Sequence, residues 1–435
     1  MKLSLNKLIY LTITAVFFPV YIHFQGKDAT TTGSLAIICL FLIYCFATLF
    51  EKSWGFRFLL LIVVLTFIGI ISSSFLPPDL TMKSIRHLGA FVCSMLLFFV
   101  VVNYYIGIDG PEQNDCINRL ISFVLLMGAI QIIIGIILYF YPPIGKPLAV
   151  FAPRNVDVLV TVDAGAKRLQ SIMTGWEEIG EFIAVLSPLL FYQVVRTGRK
   201  FIPLFFLALY FIGVILSATR SAILLFILAS LVFIIWNRET IRLHKLLLGS
   251  YISGICLSIL IFIFPPALNY LDSAMARFGV FSEIYTKTDS LTKAIDREGA
   301  WNYGLHLVSN NLNLFGNSMV TPGNFHCLYL TLIYDLGIIG GALIFGFFAY
   351  LLIKLFQTAR NTVDPDTKCL VSACIISLSV FLINEFKYEF NRDFSYQEII
   401  WLIFAICWLV SQHTSPISEP APIQYIRRHY FDFSQ

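Results

Sequence analysis

One arginine and one histidine lie next to long apolar runs, where polar residues are uncommon. Arg220 lies in the short connection 216–222 between two such runs, and His326 directly precedes a third. The planar guanidinium group of arginine binds phosphate through two parallel hydrogen bonds. A neutral imidazole accepts a proton near neutral pH. Together, these residue types could bind a diphosphate group and deprotonate a hydroxyl group.

Two long polar stretches, 142–178 and 265–325, hold the other candidates for polar chemistry. In the second stretch, apolar residues around Trp301 recur at helical spacing. This pattern predicts a short amphipathic helix that begins near Arg297, stops near Asn310 and lies on the membrane surface. Arginines from both stretches could converge on one polyanionic headgroup. Four further basic residues of the two stretches are candidates for this chemistry: Arg154, Arg168, Arg277 and His306.

Each of these residues also has a purely structural interpretation. Arg220 could extend its charge to the lipid headgroups, as long basic side chains do at membrane boundaries. Trp301 could pack at the membrane interface while Arg297 is solvated. A single histidine at a helix start, such as His326, is more often an interfacial or capping residue than a catalyst.

The composition excludes a soluble globular protein. Hydrophobic residues make up 58% of the 435 positions and charged residues 13%, whereas soluble domains contain about 25% charged residues. The net charge of +4 is not concentrated in a basic cluster, so nucleic-acid binding is not expected. The nine cysteines form no CxxC pair and no histidine–cysteine cluster at metal-ligand spacing, so neither a disulfide nor a metal site is predicted.

The apolar runs predict an all-α, polytopic membrane protein with about twelve transmembrane helices. The membrane domain covers 1–412, with a large loop between the ninth and tenth helices, and 413–435 form a polar tail. The predicted spans are 8–24, 35–50, 58–76, 87–106, 120–141, 179–195, 201–216, 222–236, 246–264, 326–356, 369–383 and 399–410.

The basic residues of the short connections predict the orientation. Connections rich in lysine and arginine stay on the cytoplasmic side of a membrane. The connections 196–200, 237–245 and 354–368 all fall on one side, together with the tail. Both long polar stretches are therefore expected to face outwards. The sequence contains no P-loop and no dinucleotide-binding glycine motif, so no nucleotide and no other cofactor is predicted.

Three motifs resemble those of the bacterial O-antigen ligases and the related O-antigen polymerases. His326-Cys327, followed after nine residues by Gly337-Ile-Ile-Gly340, resembles the family pattern H-[NSQ]-x9-G-x-x-[GTY], from which Cys327 departs. Arg220 in Ala-Thr-Arg-Ser-Ala is similar to the family's S-R-[GS] turn. Arg297 and Trp301 are similar to its R-x3-W segment.

Two weaker similarities lie in the first polar stretch. Arg168 resembles the arginine that opens the segment leading into the sixth helix of this superfamily. Arg154 and Gly165 have the R-x10-G spacing found in polymerase loops.

The resemblance implies an enzyme of the bacterial inner membrane whose active site faces the periplasm. It would transfer an undecaprenyl-diphosphate-linked glycan to lipid A-core, with His326 as general base and without a metal. The residues implied to bind the donor diphosphate are Arg220, Arg297 and Arg168, with Arg277, Arg154, Trp301 and His306 in accessory positions. Membrane lipids are the other expected partners.

Two alternatives remain open at this point. A polymerase would join the glycan to a second lipid-linked glycan as acceptor. A polysaccharide transporter is more remote, because the sequence shows no two-half repeat with interrupted helices.

Overall fold

A computed structural model gives the architecture of the chain. The structure describes residues 2–24, 27–48, 56–108, 111–141, 169, 171, 176–197, 201–217, 219–239, 298–317, 319, 325, 327–386 and 394–412. Among these residues it contains twelve helices and one β-hairpin, so the predicted all-α class is confirmed apart from the hairpin.

The first half of the chain forms α1 (Lys2–Phe17), the hairpin strands β1 (Tyr21–Phe24) and β2 (Lys27–Thr31), α2 (Thr32–Thr48), α3 (Phe56–Ser74), α4 (Pro78–Ile106), α5 (Pro111–Phe140) and α6 (Trp176–Thr197). The second half forms α7 (Phe201–Ser217), α8 (Arg220–Trp236), α9 (Glu298–Asn310), α10 (Leu328–Asn361), α11 (Pro365–Asn384) and α12 (Phe394–Ser411).

Five helices are long and apolar enough to cross a membrane, since a bilayer core about 30 Å thick needs about 20 helical residues. These segments lie in α4, α5, α6, α10 and α11, and six shorter helices are also apolar. The helices support a membrane protein. The predicted span 246–264 lies outside the described residues, so the total of twelve spans stays a prediction.

The first predicted span, 8–24, is wrong in its second half. Helix α1 ends at Phe17, because Pro19 cannot continue a helix. The chain then forms β1, which pairs with β2 in antiparallel orientation. Thr32 closes this hairpin, since its backbone N–H donates to the carbonyl of Val20 at 2.9 Å and its hydroxyl accepts from the N–H of Val20 at 2.9 Å.

Helices α4 and α5 begin earlier than the apolar runs predict. The predicted spans start at 87 and 120, whereas the helices start at Pro78 and Pro111. Proline is favoured in the first helical turn, where its missing N–H would have no helical partner. Polar first turns therefore extend both helices beyond their apolar residues.

The tenth predicted span, 326–356, is two helical segments rather than one. Gly337 has φ 71° and ψ −174°, which interrupts α10 after residue 336. The second segment, 338–361, has a length of about 36 Å at 1.5 Å per residue, so it can cross a bilayer without the first. The short first segment, 328–336, thus lies at the end of the bundle where the crossing segment begins.

The break in α10 is filled by the loop that follows α9. Backbone N–H groups of Ile338 and Ile339 donate to the carbonyls of Asn313 and Leu314, at 3.1 and 3.2 Å. The N–H of Asn317 donates to the carbonyl of Tyr334 at 2.8 Å. The groups that would have paired within a continuous helix therefore find partners in the loop, as buried backbone groups must.

The helices alternate in direction, so that at each end of the bundle the end of one helix lies near the start of the next. At one end, Ser73 of α3 hydrogen-bonds Ser84 of α4 at 2.6 Å, and the carbonyl of Glu385, after α11, accepts from Leu328 of α10 at 2.9 Å. We call this the α9 end, because α9 packs on α10 there. At the opposite end, Tyr192 of α6 donates to Asn118 of α5 at 2.9 Å.

Candidate active site

The turn between α7 and α8, which carries Arg220, packs directly on α6. A Cβ atom on Gly180 of α6 would lie 2.7 Å from Ser217 Oγ and 3.0 Å from Thr219 Cβ. Only glycine permits this approach. The absence of a side chain at Gly180 therefore lets α6 pack closely against the turn. Arg220 is the first residue of α8, and its side chain lies outside the described part of the structure.

The first polar stretch joins the bundle beside the same turn. The backbone N–H of Leu169 donates to the carbonyl of Leu216 at 2.9 Å. The buried side chain of Leu169 packs with Leu216, Tyr139 and Ile212. Arg168 itself lies outside the described residues. The next residue, Leu169, is hydrogen-bonded to Leu216, which precedes Arg220 by four positions. The backbone at Leu169 thus lies beside the turn that precedes Arg220, and the convergence of the arginines themselves stays a prediction.

His326 lies outside the described residues, whereas the residues on both sides of it are described. Phe325 is fully buried, with its ring centroid 5.5 Å from that of Tyr334. After it, Leu328 is hydrogen-bonded to Glu385 as described above, and Tyr329 donates its hydroxyl to the carbonyl of Leu382 at 2.6 Å. The residues that follow position 326 are thus attached to the end of α11.

Cys327, the departure from the family pattern, occupies the N-cap position of α10. It has an extended conformation and makes no side-chain capping bond. Asparagine and serine are among the strongest N-cap residues, and both occur at this place in the family pattern. The departure at Cys327 therefore falls on the N-cap position of α10.

Helix α9 confirms the predicted short helix and its stop at Asn310. It contacts the residues next to His326, because a Cβ atom on Gly304 would lie 3.0 Å from Phe325 Cγ. Trp301, one turn earlier, is half-buried, and Arg297 lies outside the described residues. The location of α9 on a membrane surface stays a prediction.

His306 does not share the buried face of α9. Its side chain is exposed, and its ring nitrogens lie 3.2 Å from Nδ2 of Asn310 in the next turn. Arg154 and Arg277, the remaining accessory candidates, lie outside the described residues. The structure therefore separates His306 from the buried surroundings of Phe325.

The sequence analysis did not identify the four buried acidic residues of the α9 end, which are Glu181, Asp335, Glu385 and Glu398. Each is at most 2% exposed, and a charged group in such a place is costly unless it is paired. An acidic residue within an apolar run, such as Asp335, is the signal that could have revealed them.

Glu398 shows how one of these carboxylates is held. Its Oε1 accepts a hydrogen bond from Ser34 Oγ at 2.6 Å. Its Oε2 would lie 2.7 Å from a Cβ atom on Gly33, at the start of α2. A helix N-terminus stabilises negative charge, so this carboxylate joins α12 to α2 and has a structural role.

Three elements thus lie at the α9 end: the turn before Arg220, the start of α10 after His326, and α9, which begins just after Arg297. The residues proposed to bind the anion and to act as base are thus carried by elements at one end of the bundle, where α9 packs on α10 and where α8 and α10 each pack on α11. Among the described residues, no group of three potential metal ligands occurs.

Comparison with known proteins yields no match: neither a family model nor a curated protein matches the chain. The resemblance of the three motifs to O-antigen ligases therefore stays a prediction, and the functional interpretation depends on these residues and their arrangement.

Proposed function

We propose that the chain is a membrane glycosyltransferase of the O-antigen ligase type. It transfers a glycan from undecaprenyl diphosphate to lipid A-core at the periplasmic face of the inner membrane. One observation carries the proposal: the elements that bear Arg220 and His326, together with the helix that follows Arg297, lie at the same end of the bundle.

The reaction requires one proton transfer and the stabilisation of one leaving group. The acceptor hydroxyl attacks the anomeric carbon of the glycan and loses its proton to His326 as the new C–O bond forms. The bond between that carbon and the diphosphate oxygen breaks, and the electron pair stays on undecaprenyl diphosphate. Arg220 and Arg297 bind the diphosphate and offset the charge that develops on it.

Glu385 is the candidate for orienting His326. It is fully buried. Its backbone carbonyl accepts a hydrogen bond from the backbone N–H of Leu328, two residues after the histidine. A general base is commonly held in one tautomer by a carboxylate on its second nitrogen. We assign Glu385 this positioning role, and a Glu385→Gln variant is expected to change the pH profile of transfer as well as its rate.

The broken helix α10 does not favour a transporter. Transporters use interrupted helices whose free ends bind the substrate or ion. Here the free backbone groups around Gly337 bind the loop 313–317 of the same chain. The interruption therefore supports a structural junction between α9 and α10 better than a transport site.

Transfer by purified protein, with lipid-linked glycan and acceptor, tests the role of Arg220. Arg220→Ala is expected to abolish transfer, and Arg220→Lys to fail nearly as badly, because lysine keeps the charge but loses the two parallel hydrogen bonds. Arg238→Lys, an exposed position beyond the other end of α8, is the matched control and should retain activity. Normal transfer by well-expressed Arg220→Ala protein would overturn the proposal.

Glycan analysis of a deletion strain separates the ligase from the polymerase. Loss of a ligase leaves lipid-linked polymer that is not attached to the core. Loss of a polymerase leaves single repeats attached to the core, and this outcome would replace the ligase with the polymerase. Normal glycans in the deletion strain would contradict both.

A further inference from the structure

A cavity of about 540 Å³ opens at the end of the bundle opposite to the α9 end, between α1, α5 and α6. Ligand sites commonly have volumes of about 300 to 1,000 Å³. The cavity is lined by Arg119 of α5 and Arg196 of α6, with Tyr10 of α1 on a third side. It is therefore separate from the candidate active site.

One face of α5 forms the floor of this cavity and changes from polar to apolar along its length. Asp115, Arg119, Ser122, Phe123 and Leu126 all line it, at the spacing of three and four residues that places side chains on one helix face. The charged residues come first along the helix and the apolar ones follow. Such a face matches a molecule with a charged group at one end and a hydrocarbon chain at the other.

The apolar part is open to the surroundings of the protein. Leu126 is 40% exposed, and Phe123 packs edge to face against Tyr10 with ring centroids 4.7 Å apart. The packing of Phe123 on Tyr10 therefore forms an apolar wall of the cavity next to the exposed side chain of Leu126. An acyl chain could lie along it while remaining in contact with the bilayer.

The two arginines have unused binding capacity. Arg196 lies 3.8 Å from Asp115, and both side chains are partly exposed, so this ion pair is weak. Within the part of the chain that the structure describes, Arg119 forms no ion pair with an acidic residue. Two positive charges face one negative charge, which favours an anion between the two guanidinium groups.

The side chain of Asn118 connects two helices that line the cavity, and its hydrogen bonds do not involve the arginines. Asn118 accepts the hydroxyl hydrogen of Tyr192 at 2.9 Å and donates to the carbonyl of Asn114 at 2.9 Å. Its carbonyl accepts from Ser122 at 2.8 Å. The bond from Tyr192 joins α6 to α5 and the other two lie within α5, so the fold sets the spacing between the backbone positions of the two arginines.

Both arginines lie about the thickness of a bilayer core away from the far ends of their helices. Arg119 precedes the last residue of α5, Phe140, by about 32 Å, and Arg196 follows the first residue of α6, Trp176, by about 30 Å, at 1.5 Å per residue. The hydrocarbon core is about 30 Å thick. If the far ends of these helices lie at one membrane boundary, the arginines lie at the other.

We propose that this cavity binds the headgroup of an anionic phospholipid, with its phosphate between Arg119 and Arg196 and one acyl chain along Phe123 and Leu126. Basic pockets between transmembrane helices bind anionic headgroups in this way. The proposal requires only that the helices cross a membrane, and it is independent of the proposed transferase activity.

The test measures binding of fluorescent phosphatidylglycerol to the purified full chain in nanodiscs of phosphatidylcholine. Arg119→Gln and Arg196→Gln are each expected to weaken binding about fivefold, the effect of about one basic residue at an anionic surface. Arg360→Gln removes an exposed charge at the same end, outside the cavity, and should bind as the unchanged protein does.

Two further measurements identify the ligand and guard against misfolding. Leu126→Trp, at an exposed position, should block the acyl chain and weaken binding even if the arginine variants do not fold. Inorganic phosphate at millimolar concentration should not compete, because it has no acyl chain. Equal binding of phosphatidylcholine, full competition by phosphate, or unchanged binding in Leu126→Trp would each overturn the proposal.

Discussion

At the scale of single residues, His326 is proposed to act as a general base. It directly precedes Cys327, the N-cap of α10, and the positive end of a helix disfavours the protonated imidazole. His326→Ala is expected to lower the rate of glycan transfer about 10² to 10⁴-fold, the usual effect of losing a general base. Donor binding should be largely unchanged. The measurement is the rate of transfer by purified protein across a range of pH.

His306→Ala is the control for this substitution, since His306 is exposed on α9 and a milder effect is expected. If His326→Ala protein keeps more than about a tenth of the original rate, the loss is smaller than a general base would cause. His326 would then be an interfacial residue, and the proposed mechanism would be wrong.

Gly337 permits a backbone conformation that other residues avoid. Its φ of 71° combines with a close contact, because an added Cβ would lie 2.3 Å from the backbone nitrogen of Gly316. Gly337→Ala is therefore expected to lower the free energy of unfolding by about 1 to 3 kcal/mol, the typical strain at such a position. Thermal unfolding in detergent measures this loss.

Gly346→Ala is the matched control within the same helix. A Cβ at Gly346 would meet no atom within 4 Å, and alanine is the better helix former by about 0.5 to 1 kcal/mol. The control should be neutral or stabilising. Equal behaviour of the two variants would show that the break at Gly337 does not require glycine.

At the scale of elements, the apolar runs predict which segments are helices better than they predict where helices end. Pro78 and Pro111 begin helices in polar sequence, and Pro19 ends one within an apolar run. Hydropathy reports burial, whereas proline and glycine control backbone geometry. The break at Gly337 could not be predicted from hydropathy either, because its free backbone groups bind a loop more than twenty positions earlier in the chain.

Helix α11 begins with a side-chain cap whose contribution can be measured. Asp364 accepts from the backbone N–H of Thr367 at 2.9 Å. Hydrogen bonding from Thr367 lowers the pKa of Asp364 below its ordinary value. Asp364→Ala should reduce the free energy of unfolding by about 1 kcal/mol, the usual loss of an N-cap. Thermal unfolding in detergent at pH 7 gives the comparison.

The sign of the pH dependence follows from the lowered pKa. The cap stabilises the fold fully above the unfolded pKa of about 3.9, and the contribution is lost as the pH falls through the lower folded pKa. The difference between the original protein and Asp364→Ala should therefore shrink in acid. Asp366→Ala, in the same exposed turn, is the control and should lose less. A difference that grows in acid would contradict the assigned cap.

At the scale of the whole molecule, the basic connections predict which end of the bundle carries each loop, but the packing contacts between distant elements could not be predicted from the sequence. Arg220 and His326 were identified by residue type, but Gly180, which brings α6 against the turn before Arg220, carries no chemistry of its own. Glu385 lies near the start of α10 only because α10 and α11 are antiparallel neighbours. Such pairings depend on helix packing, and local sequence patterns do not specify it.

The orientation of the whole bundle is the remaining prediction. Because the helices alternate in direction, placing one end fixes the other. The basic connection after α10 predicts that Arg360 lies in the cytoplasm and that the α9 end lies outside. Alkaline phosphatase needs the oxidising periplasm to form its disulfides. Its fusion after Ser290 should therefore be active, and its fusion after Arg360 inactive.

The reverse fusion pattern would place the α9 end in the cytoplasm. The proposed transfer would then be wrong, because a periplasmic acceptor could not reach Arg220 or His326. The cavity lined by Arg119 and Arg196 would face the outer leaflet, and its phospholipid would have to come from there. Activity of both fusions would show that the helices around α9 do not cross in the predicted order. One pair of fusions thus tests the end of the bundle on which the proposed chemistry depends.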